Sequence, residues 1–294
     1  MTKTSKTILF FGTEDFSLIT LRALVEAGFN IEAVITKPDA RRGRSRHETS
    51  PKVKIYAQEQ GVAVFQPNNT PELVEYVSTF QNPAGVLVSY GKMIPQSVID
   101  LFSPGIINIH PSILPKYRGP SPIESTIQNG DKETGVSIMQ LDARMDAGPI
   151  YDIVIHPLNG SETKPDLYKT LGEKGANRLV QILPDILNES ILPTPQNDED
   201  STYCSLLSKD DTLVDPSQLS SQEIERRIRA HLTFPKTRLP FYGDNRIITK
   251  SHVSETPSDK TITCKDGSLL SIDELIAPSG KTVSTEEFLR GLHK

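Results

Sequence analysis

The residues best suited to chemistry in this 294-residue sequence lie in two short segments. NIHPSILP at 108–115 holds Asn108 and His110, and MDAGP at 145–149 holds Asp146. Alternate side chains of a strand face the same way, so Asn108 and His110 project together if 105–110 is a strand. An amide, an imidazole and a carboxylate suit acyl transfer to an amine. Donors stabilise the developing oxyanion, and an acid–base pair handles the amine protons.

The same residues also have a purely structural interpretation. His110 is then a hydrogen-bonded core histidine, and Asp146 is the polar residue of a glycine-containing turn. On spacing alone, the sequence favours this second interpretation. The six histidines are scattered without metal-ligand spacing, so we predict no metal site. The turn at Gly12 lacks the GxGxxG pattern expected of a nicotinamide oxidoreductase.

An alternation of apolar strands and amphipathic helices is expected to position these residues. Apolar, β-branched runs predict strands at 7–11, 31–36, 62–65, 85–89 and 105–110. Apolar residues at helical spacing predict helices at 16–27 and 53–60, and Thr70 before Pro71 predicts the cap of a third. This order predicts an α/β fold with a doubly wound parallel sheet. Such sheets bind ligands at the carboxyl ends of their strands, where Asn108 and His110 lie.

A change of composition marks the end of this first domain. A helix predicted at about 164–187 precedes LPTPQNDED at 192–200, which has prolines and acids but no apolar period and so predicts a linker. Beyond it, capping boxes at Ser220 and Ser284 predict helices, and turn residues between them predict short strands. We therefore predict a catalytic domain at 1–190, a linker at 191–206 and an OB-like β-barrel domain at 207–294.

Charge and cysteine content narrow the class of protein. The formal net charge is −5, yet residues 37–54 hold seven cations and two anions, and residues 226–250 hold seven cations and one anion. A polyanionic partner and two solvated surfaces both fit this pattern. No apolar run approaches the length of a membrane helix, and the N-terminus lacks the apolar core of a signal peptide. Cys204 and Cys264 are isolated, which fits a reducing compartment, so we predict a cytoplasmic protein. The lack of a membrane-length apolar run predicts no membrane partner.

Four stretches resemble the folate-dependent formyltransferases in order and spacing: ILFFGTEDF at 8–16, VSYGKMIP at 88–95, NIHPSILPKYRG at 108–119 and TGVSIMQLDARMDAGPI at 134–150. The resemblance implies a catalytic role for Asn108, His110 and Asp146. It also implies a folate pocket made largely by the backbone of the loops around these motifs. The implied pocket residues are Val88, Ser89, Tyr90, Gly91, Met93, Ser112, Leu114, Pro115, Gln140, Leu141, Asp142 and Arg144.

Two further segments resemble the methionyl-tRNA branch of that family. The basic stretch at 37–54 fills the place of its loop after the second strand, and PSGK at 278–281 with EEFLRG at 286–291 resembles the close of its C-terminal barrel. The resemblance implies a monomeric enzyme with 10-formyltetrahydrofolate as donor and initiator methionyl-tRNA as acceptor. Its implied tRNA contacts are Arg41, Arg42, Arg44, Arg46, Arg226, Arg229, Lys236 and Arg238. The first four lie in a stretch with no apolar period, which predicts a mobile loop.

The sequence also departs from the family pattern. Glu14 stands where the family has a proline, and the chain contains no tryptophan, so a proline-tryptophan-proline motif is missing after Ala230. The barrel region also looks shortened between Lys250 and Thr261. These departures affect tRNA docking rather than the chemistry. Two alternatives stay open: a sugar-nucleotide amine formyltransferase, and a non-catalytic RNA-binding protein on the same scaffold, against which the three intact catalytic residues argue.

Overall fold

The computed structural model describes residues 6–42 and 47–292. The strands up to residue 157 are β1 (Ile8–Gly12), β2 (Ile31–Ile35), β3 (Ala40–Arg42), β4 (His47–Thr49), β5 (Ala63–Phe65), β6 (Ala84–Val88), β7 (Ile106–His110), β8 (Glu133–Gln140) and β9 (Ile150–Pro157). The helices up to residue 187 are α1 (Asp15–Glu26), α2 (Lys52–Glu59), α3 (Thr70–Val77), α4 (Gln96–Ile99), α5 (Pro122–Asn129) and α6 (Lys164–Leu187).

A seven-stranded sheet with the order β5-β2-β1-β6-β7-β8-β9 carries the first half of the chain. Its neighbours from β5 to β7 pair in parallel, which confirms the predicted α/β fold. Strand β8 pairs with β7 in the antiparallel direction, and the sequence prediction missed both β8 and β9. Strands β1, β6 and β7 are buried along their whole length, as expected for strands covered on both faces.

Local signals in the sequence set most of the helix boundaries. Gly28 adopts a φ of 78°, which ends α1 after Ala27 in the way that a glycine after a helix usually does. The N-cap of α3 is Asn69, whose side chain accepts a hydrogen bond from the amide of Glu72 at 3.0 Å. The prediction of Thr70 as the cap was therefore wrong by one residue, since asparagine is the better cap and the helix begins at Thr70 itself.

The remaining strands are β10 (Arg238–Phe241), β11 (Asp244–Ser254), β12 (Thr261–Thr263), β13 (Leu269–Ile276) and β14 (Thr282–Ser284), with helices α7 (Ser221–Ala230) and α8 (Thr285–Leu292). They form an antiparallel sheet in the order β10-β11-β13-β12, with β14 also paired to β13. This curled sheet fits the predicted barrel-like domain. Both predicted capping boxes are present, at Ser220 with Glu223 and at Ser284 with Glu287. Ile224, Leu239 and Phe288 belong to its separate apolar core.

The chain divides into two compact units that are each discontinuous in sequence. The first comprises Met1–Arg118, Thr134–His156 and Tyr168–Tyr203; the second comprises Gly119–Glu133, Pro157–Leu167 and Cys204–Lys294. Within the second unit, α5 packs against α7. The predicted boundaries at 1–190, 191–206 and 207–294 stay predictions. No helix in the described ranges is both long enough and apolar enough to cross a membrane.

Candidate active site

Asn108 and His110 lie at the carboxyl end of β7, on the same face of the strand. Both are 5% exposed. Asn108 is opposite Leu87 of the parallel strand β6, and His110 is opposite Ser137 of the antiparallel strand β8. The two side chains therefore sit where two loops, after β6 and after β8, converge on the end of a central strand. This is the edge at which open α/β sheets bind ligands.

The two ring nitrogens of His110 have different neighbours. Nε2 lies 2.9 Å from the carbonyl oxygen of Tyr117, and Nδ1 lies 3.7 Å from Oδ2 of Asp146. A carbonyl oxygen only accepts hydrogen bonds, so Nε2 carries a proton and donates a hydrogen bond to the carbonyl oxygen of Tyr117. Nδ1 is then the nitrogen that gains and loses a proton, and it faces the carboxylate. At 3.7 Å the two groups are close enough for electrostatic coupling but too far apart for a direct hydrogen bond.

Asp146 lies in the loop between β8 and β9 and has a φ of 48°. Aspartate tolerates this left-handed conformation better than most residues. The loop is also tightly packed at Gly148, where an added Cβ would lie 1.9 Å from the carbonyl oxygen of Gln140. Only glycine fits at that position. The sequence thus brings Asp146 back over the end of β8, beside His110.

The loop after His110 is held by buried hydroxyl groups. Ser137 Oγ donates to the carbonyl of Ser112 at 2.7 Å and accepts from the amide of Leu114 at 3.0 Å. Ser112, itself fully buried, donates from Oγ to the carbonyl of Lys116 at 2.7 Å. Of the predicted folate residues in this loop, Ser112 therefore serves the loop's own geometry through its side chain. Leu114 is buried and Pro115 is partly exposed.

The predicted folate residues after β6 form a second ordered loop. Ser89 has a φ of 46°, and its carbonyl accepts from the amides of Thr13 and Glu14. The ring of Tyr90 packs edge-on against Phe11, and burial raises the pKa of Tyr90 to about 12. The other predicted residues of this loop differ in exposure: Val88 is buried, Gly91 is exposed and Met93 is 63% exposed.

The predicted folate residues after β8 bring a third loop to the same place. The amide of Leu141 donates to the carbonyl of Ile106 at 2.7 Å, and Gln140 donates from Nε2 to the carbonyl of Pro104. Asp142 accepts from the amide of Arg144 at 2.8 Å. All three loops belong to the first compact unit. Their roles in folate binding stay predictions, as do the catalytic roles.

Sequence reasoning missed a set of polar residues behind the Asp146 loop. Arg118 is 1% exposed and donates to Gln196, Asp198 and Tyr203. Burial opposes the charge of Arg118, but Asp198 and Tyr203 outweigh burial and raise the pKa of Arg118, while the bond from Arg118 lowers the pKa of Asp198. Arg118 was part of a quoted motif without an assigned role. Gln196, Asp198 and Tyr203 follow α6, in a stretch of sequence with no apolar period.

Two of the four predicted tRNA-binding residues of the first basic segment, Arg41 and Arg42, lie on a β-strand. Strand β3 pairs with β4, so the prediction of a loop was wrong for these two strands, and its mobility stays a prediction. Arg44 and Arg46 lie outside the described residues. The hairpin begins beside Asp39, whose carboxylate accepts from Lys54, Gln66 and Ser50. These bonds, led by that from Lys54, lower the pKa of Asp39 to about 2.

Three of the four predicted tRNA-binding residues of the second basic segment line an open groove of about 1180 Å³ within the second compact unit: Arg226, Arg229 and Lys236. Lys132 and Lys250 also line it, and so do Asp131, Glu162, Glu225 and Glu274, so the groove carries charges of both signs. Arg229 is also tied to Glu225 at 2.6 Å. Arg238 lies on β10, where it donates to the carbonyl of Asn245.

The chain is a member of the formyl transferase family. A sequence model of that family, described as formyl transferase, matches residues 6–183, which is more than half of the chain. The fold is similar to that of an N-formyltransferase from Helicobacter canadensis, solved with folinic acid and dTDP-3-aminofucose. The TM-score is 0.70 over 91% of this chain and 98% of that one, at 21% identity.

Sequence relatives narrow the class further. The chain is 37% identical to the methionyl-tRNA formyltransferase of Halorhodospira halophila, over 87% of this chain and 83% of that protein. It is 34% identical to the methionyl-tRNA formyltransferase of Alcanivorax borkumensis, over 97% of this chain and 91% of that protein. The chain belongs to the family of methionyl-tRNA formyltransferases.

Proposed function

We propose that this protein transfers the formyl group of 10-formyltetrahydrofolate to the amine of methionine carried by initiator tRNA. The observation that supports this most is the placement of a histidine and a carboxylate at the end of β7. Nδ1 of His110 faces Asp146 at 3.7 Å while Nε2 is held by a backbone carbonyl. That arrangement suits a reaction in which one proton leaves an attacking amine and one reaches a leaving nitrogen.

The proposed reaction balances without any further reactant. The neutral methionyl amine attacks the formyl carbon, and a tetrahedral intermediate forms with negative charge on the formyl oxygen. Asn108 and His110 stabilise that oxyanion, and Nδ1 of His110 donates to it in the imidazolium form, in which both ring nitrogens carry a proton. The bond from carbon to N10 of the folate then breaks. One amine proton passes to N10, with Asp146 as the relay, directly or through water. The products are formyl-methionyl-tRNA and tetrahydrofolate.

The acceptor is proposed from the names of the relatives and from the two basic segments of the sequence. Arg41 and Arg42 in the first segment, and Arg226 and Lys236 in the second, carry the positive charge that phosphate contacts require. A folate donor is supported by the folinic acid in the Helicobacter canadensis structure. We further propose that the enzyme is cytoplasmic, since translation initiation uses its product there, and that it is a monomer.

A sugar-nucleotide amine formyltransferase is the second candidate, because the Helicobacter canadensis enzyme has the same fold and binds such a sugar. Its identity to this chain is 21%, against 37% for the methionyl-tRNA enzyme of Halorhodospira halophila. One assay separates the candidates. The protein is incubated with 10-formyltetrahydrofolate and either methionyl initiator tRNA or a dTDP-amino sugar. Formyl-methionine and no formyl-sugar is the expected result, and the reverse would overturn the proposal.

A further inference from the structure

The loop that follows His110 and the loop that carries Asp146 are joined by one amide side chain, that of Gln196. Its Nε2 donates to the carbonyl oxygens of Asp146 at 2.8 Å and of Gly148 at 2.7 Å. Its Oε1 accepts from Nε and Nη2 of Arg118 at 3.1 and 2.9 Å. Donor and acceptor ends of the amide are thus used on different loops, and all of these residues belong to the first compact unit.

Each end of this bridge touches a feature that the site depends on. Asp146 has a left-handed backbone, which a non-glycine residue keeps only where surrounding contacts hold it. The donor end of Gln196 supplies two such contacts. Arg118, at the other end, directly follows Tyr117, whose carbonyl holds Nε2 of His110. Gln196 therefore acts on the positions of both groups that meet at 3.7 Å.

Arg118 gives the bridge a rigid base. Its side chain is 1% exposed, and it also donates to Tyr203 at 3.1 Å and to Asp198 at 2.7 Å. The amide of Arg118 donates to the carbonyl of Thr202 at 2.8 Å, and the amide of Tyr117 donates to Oγ1 of Thr202 at 2.9 Å. A guanidinium with this many fixed partners holds Oε1 of Gln196 in one place, and hence aims Nε2 at the Asp146 loop.

We propose that Gln196 is a positioning residue that sets the distance between Asp146 and His110. It does so by coupling the loop that carries Asp146 to the loop that follows His110. The proposal rests on the proposed formyl transfer for its kinetic consequences. Gln196 itself contacts neither reacting group. It acts through the backbone of Asp146, so its removal shifts a carboxylate relative to an imidazole rather than deleting either one.

Gln196→Glu tests the donor end of the bridge separately from its acceptor end. The carboxylate still accepts from Arg118, but it opposes the carbonyls of Asp146 and Gly148 with an acceptor in place of a donor. We expect kcat for formyl transfer to fall by about tenfold to a hundredfold, the usual cost of a misplaced catalytic group. Gln181→Glu is the matched control. Gln181 is exposed on α6 and accepts from Arg178 at 3.1 Å, so it makes the same charge change beside an arginine without touching the site.

A double variant tests whether Gln196 acts through Asp146. In an Asp146→Ala background, Gln196→Met should lower single-turnover formylation by less than about twofold, because the group that Gln196 positions is already gone. If Gln196 had only a structural role, Gln196→Met would lower the single-turnover rate by the same factor in the Asp146→Ala background as in the wild-type background. That outcome overturns the proposal. Thermal unfolding of each variant reports its stability separately, and Gln196→Glu, which keeps its partner Arg118, replaces Gln196→Met if the latter fails to fold.

A readout without turnover distinguishes this proposal from the proposed function. The distance from Nδ1 of His110 to Oδ2 of Asp146, 3.7 Å in the wild type, is measured in crystal structures of the full chain. Gln196→Glu should change that distance by about 1 Å, whereas Gln181→Glu should leave it as it is. An unchanged distance in Gln196→Glu overturns the positioning role even if formylation is confirmed. A changed distance supports it even if the acceptor proves to be a different amine.

Discussion

The carbonyl oxygen of Tyr117 accepts a hydrogen bond from Nε2 of His110 at 2.9 Å. A backbone atom therefore selects which nitrogen of the ring is free for proton transfer. The carbonyl is held in turn by the bonds of the Tyr117 and Arg118 amides to Thr202. Orientation of the imidazole thus depends on the path of the main chain at Tyr117.

Loss of a catalytic side chain should be the most severe change. Replacing Asn108, His110 or Asp146 by alanine should reduce turnover by about a hundredfold or more, the usual cost of an oxyanion donor or an acid–base group. Steady-state formylation measures the effect, and circular dichroism should show that each variant folds. Asn188→Ala, at an exposed position after α6, is the control. A His110→Ala enzyme with near-normal turnover would exclude the proposed mechanism.

The basic hairpin should contribute to tRNA affinity through charge. Arg41→Ala, Arg42→Ala and Arg44→Ala together should weaken binding of charged tRNA and flatten its salt dependence, since each phosphate contact releases counterions. Folate binding should not change. Alanine at the exposed residues Lys169, Lys209 and Lys281 removes the same charge elsewhere and serves as the control. If the arginine variant keeps its affinity and salt slope, the groove around Arg226 becomes the main candidate.

Stability should fall with acidity because of His231. This residue is fully buried, and burial together with nearby Arg227 lowers its pKa from 6.5 to about 4. The unfolded chain therefore takes up a proton first, so the contribution is intact above pH 6.5 and is lost as pH falls toward 4. The expected loss is on the order of 3 kcal/mol. Urea unfolding across this range measures the free energy of unfolding, and His231→Gln should remove most of its pH dependence. If the free energy of the variant falls equally steeply with pH, other groups cause the loss.

The stretch after α6 should be needed for folate binding by the isolated first part of the chain. A fragment of residues 1–203 keeps Gln196, Asp198 and Tyr203, whereas a fragment of residues 1–195 loses every partner of Arg118 named above. Both fragments lack α7, so α5 is affected equally in each. We expect the longer fragment to bind folate at least about tenfold more tightly. Equal affinity, measured by calorimetry, would show that the stretch does not support the pocket.

The strand that carries the site could be predicted because its signals are local. Apolar residues at 105–110 define a buried strand, and the period of two puts Asn108 and His110 on one face. The shared site of Asp146 and His110 was implied by the family resemblance and not by periodicity. A turn does not reveal which strand it will meet.

The parts that were missed depend on contacts that no periodic pattern records. Residues 192–200 have no apolar period because side-chain amides, a guanidinium and backbone carbonyls hold them, as the bonds of Gln196 show. The β3–β4 hairpin was interpreted as a loop for a related reason. Its strands ARR and HET contain almost no β-branched or aromatic residues, so their pairing is invisible to propensity.

The pairing of α5 with α7 has a consequence for how the chain is made. Helix α5 ends at Asn129 and α7 begins at Ser221, so a ribosome releases the two partners about 5 to 20 s apart. During that interval α5, whose Ile123 and Ile127 are buried in the folded chain, has no α7 to pack against. We expect the nascent chain to be a chaperone client in this window. Its escape would coincide with the emergence of the last hundred or so residues rather than with completion of the sheet.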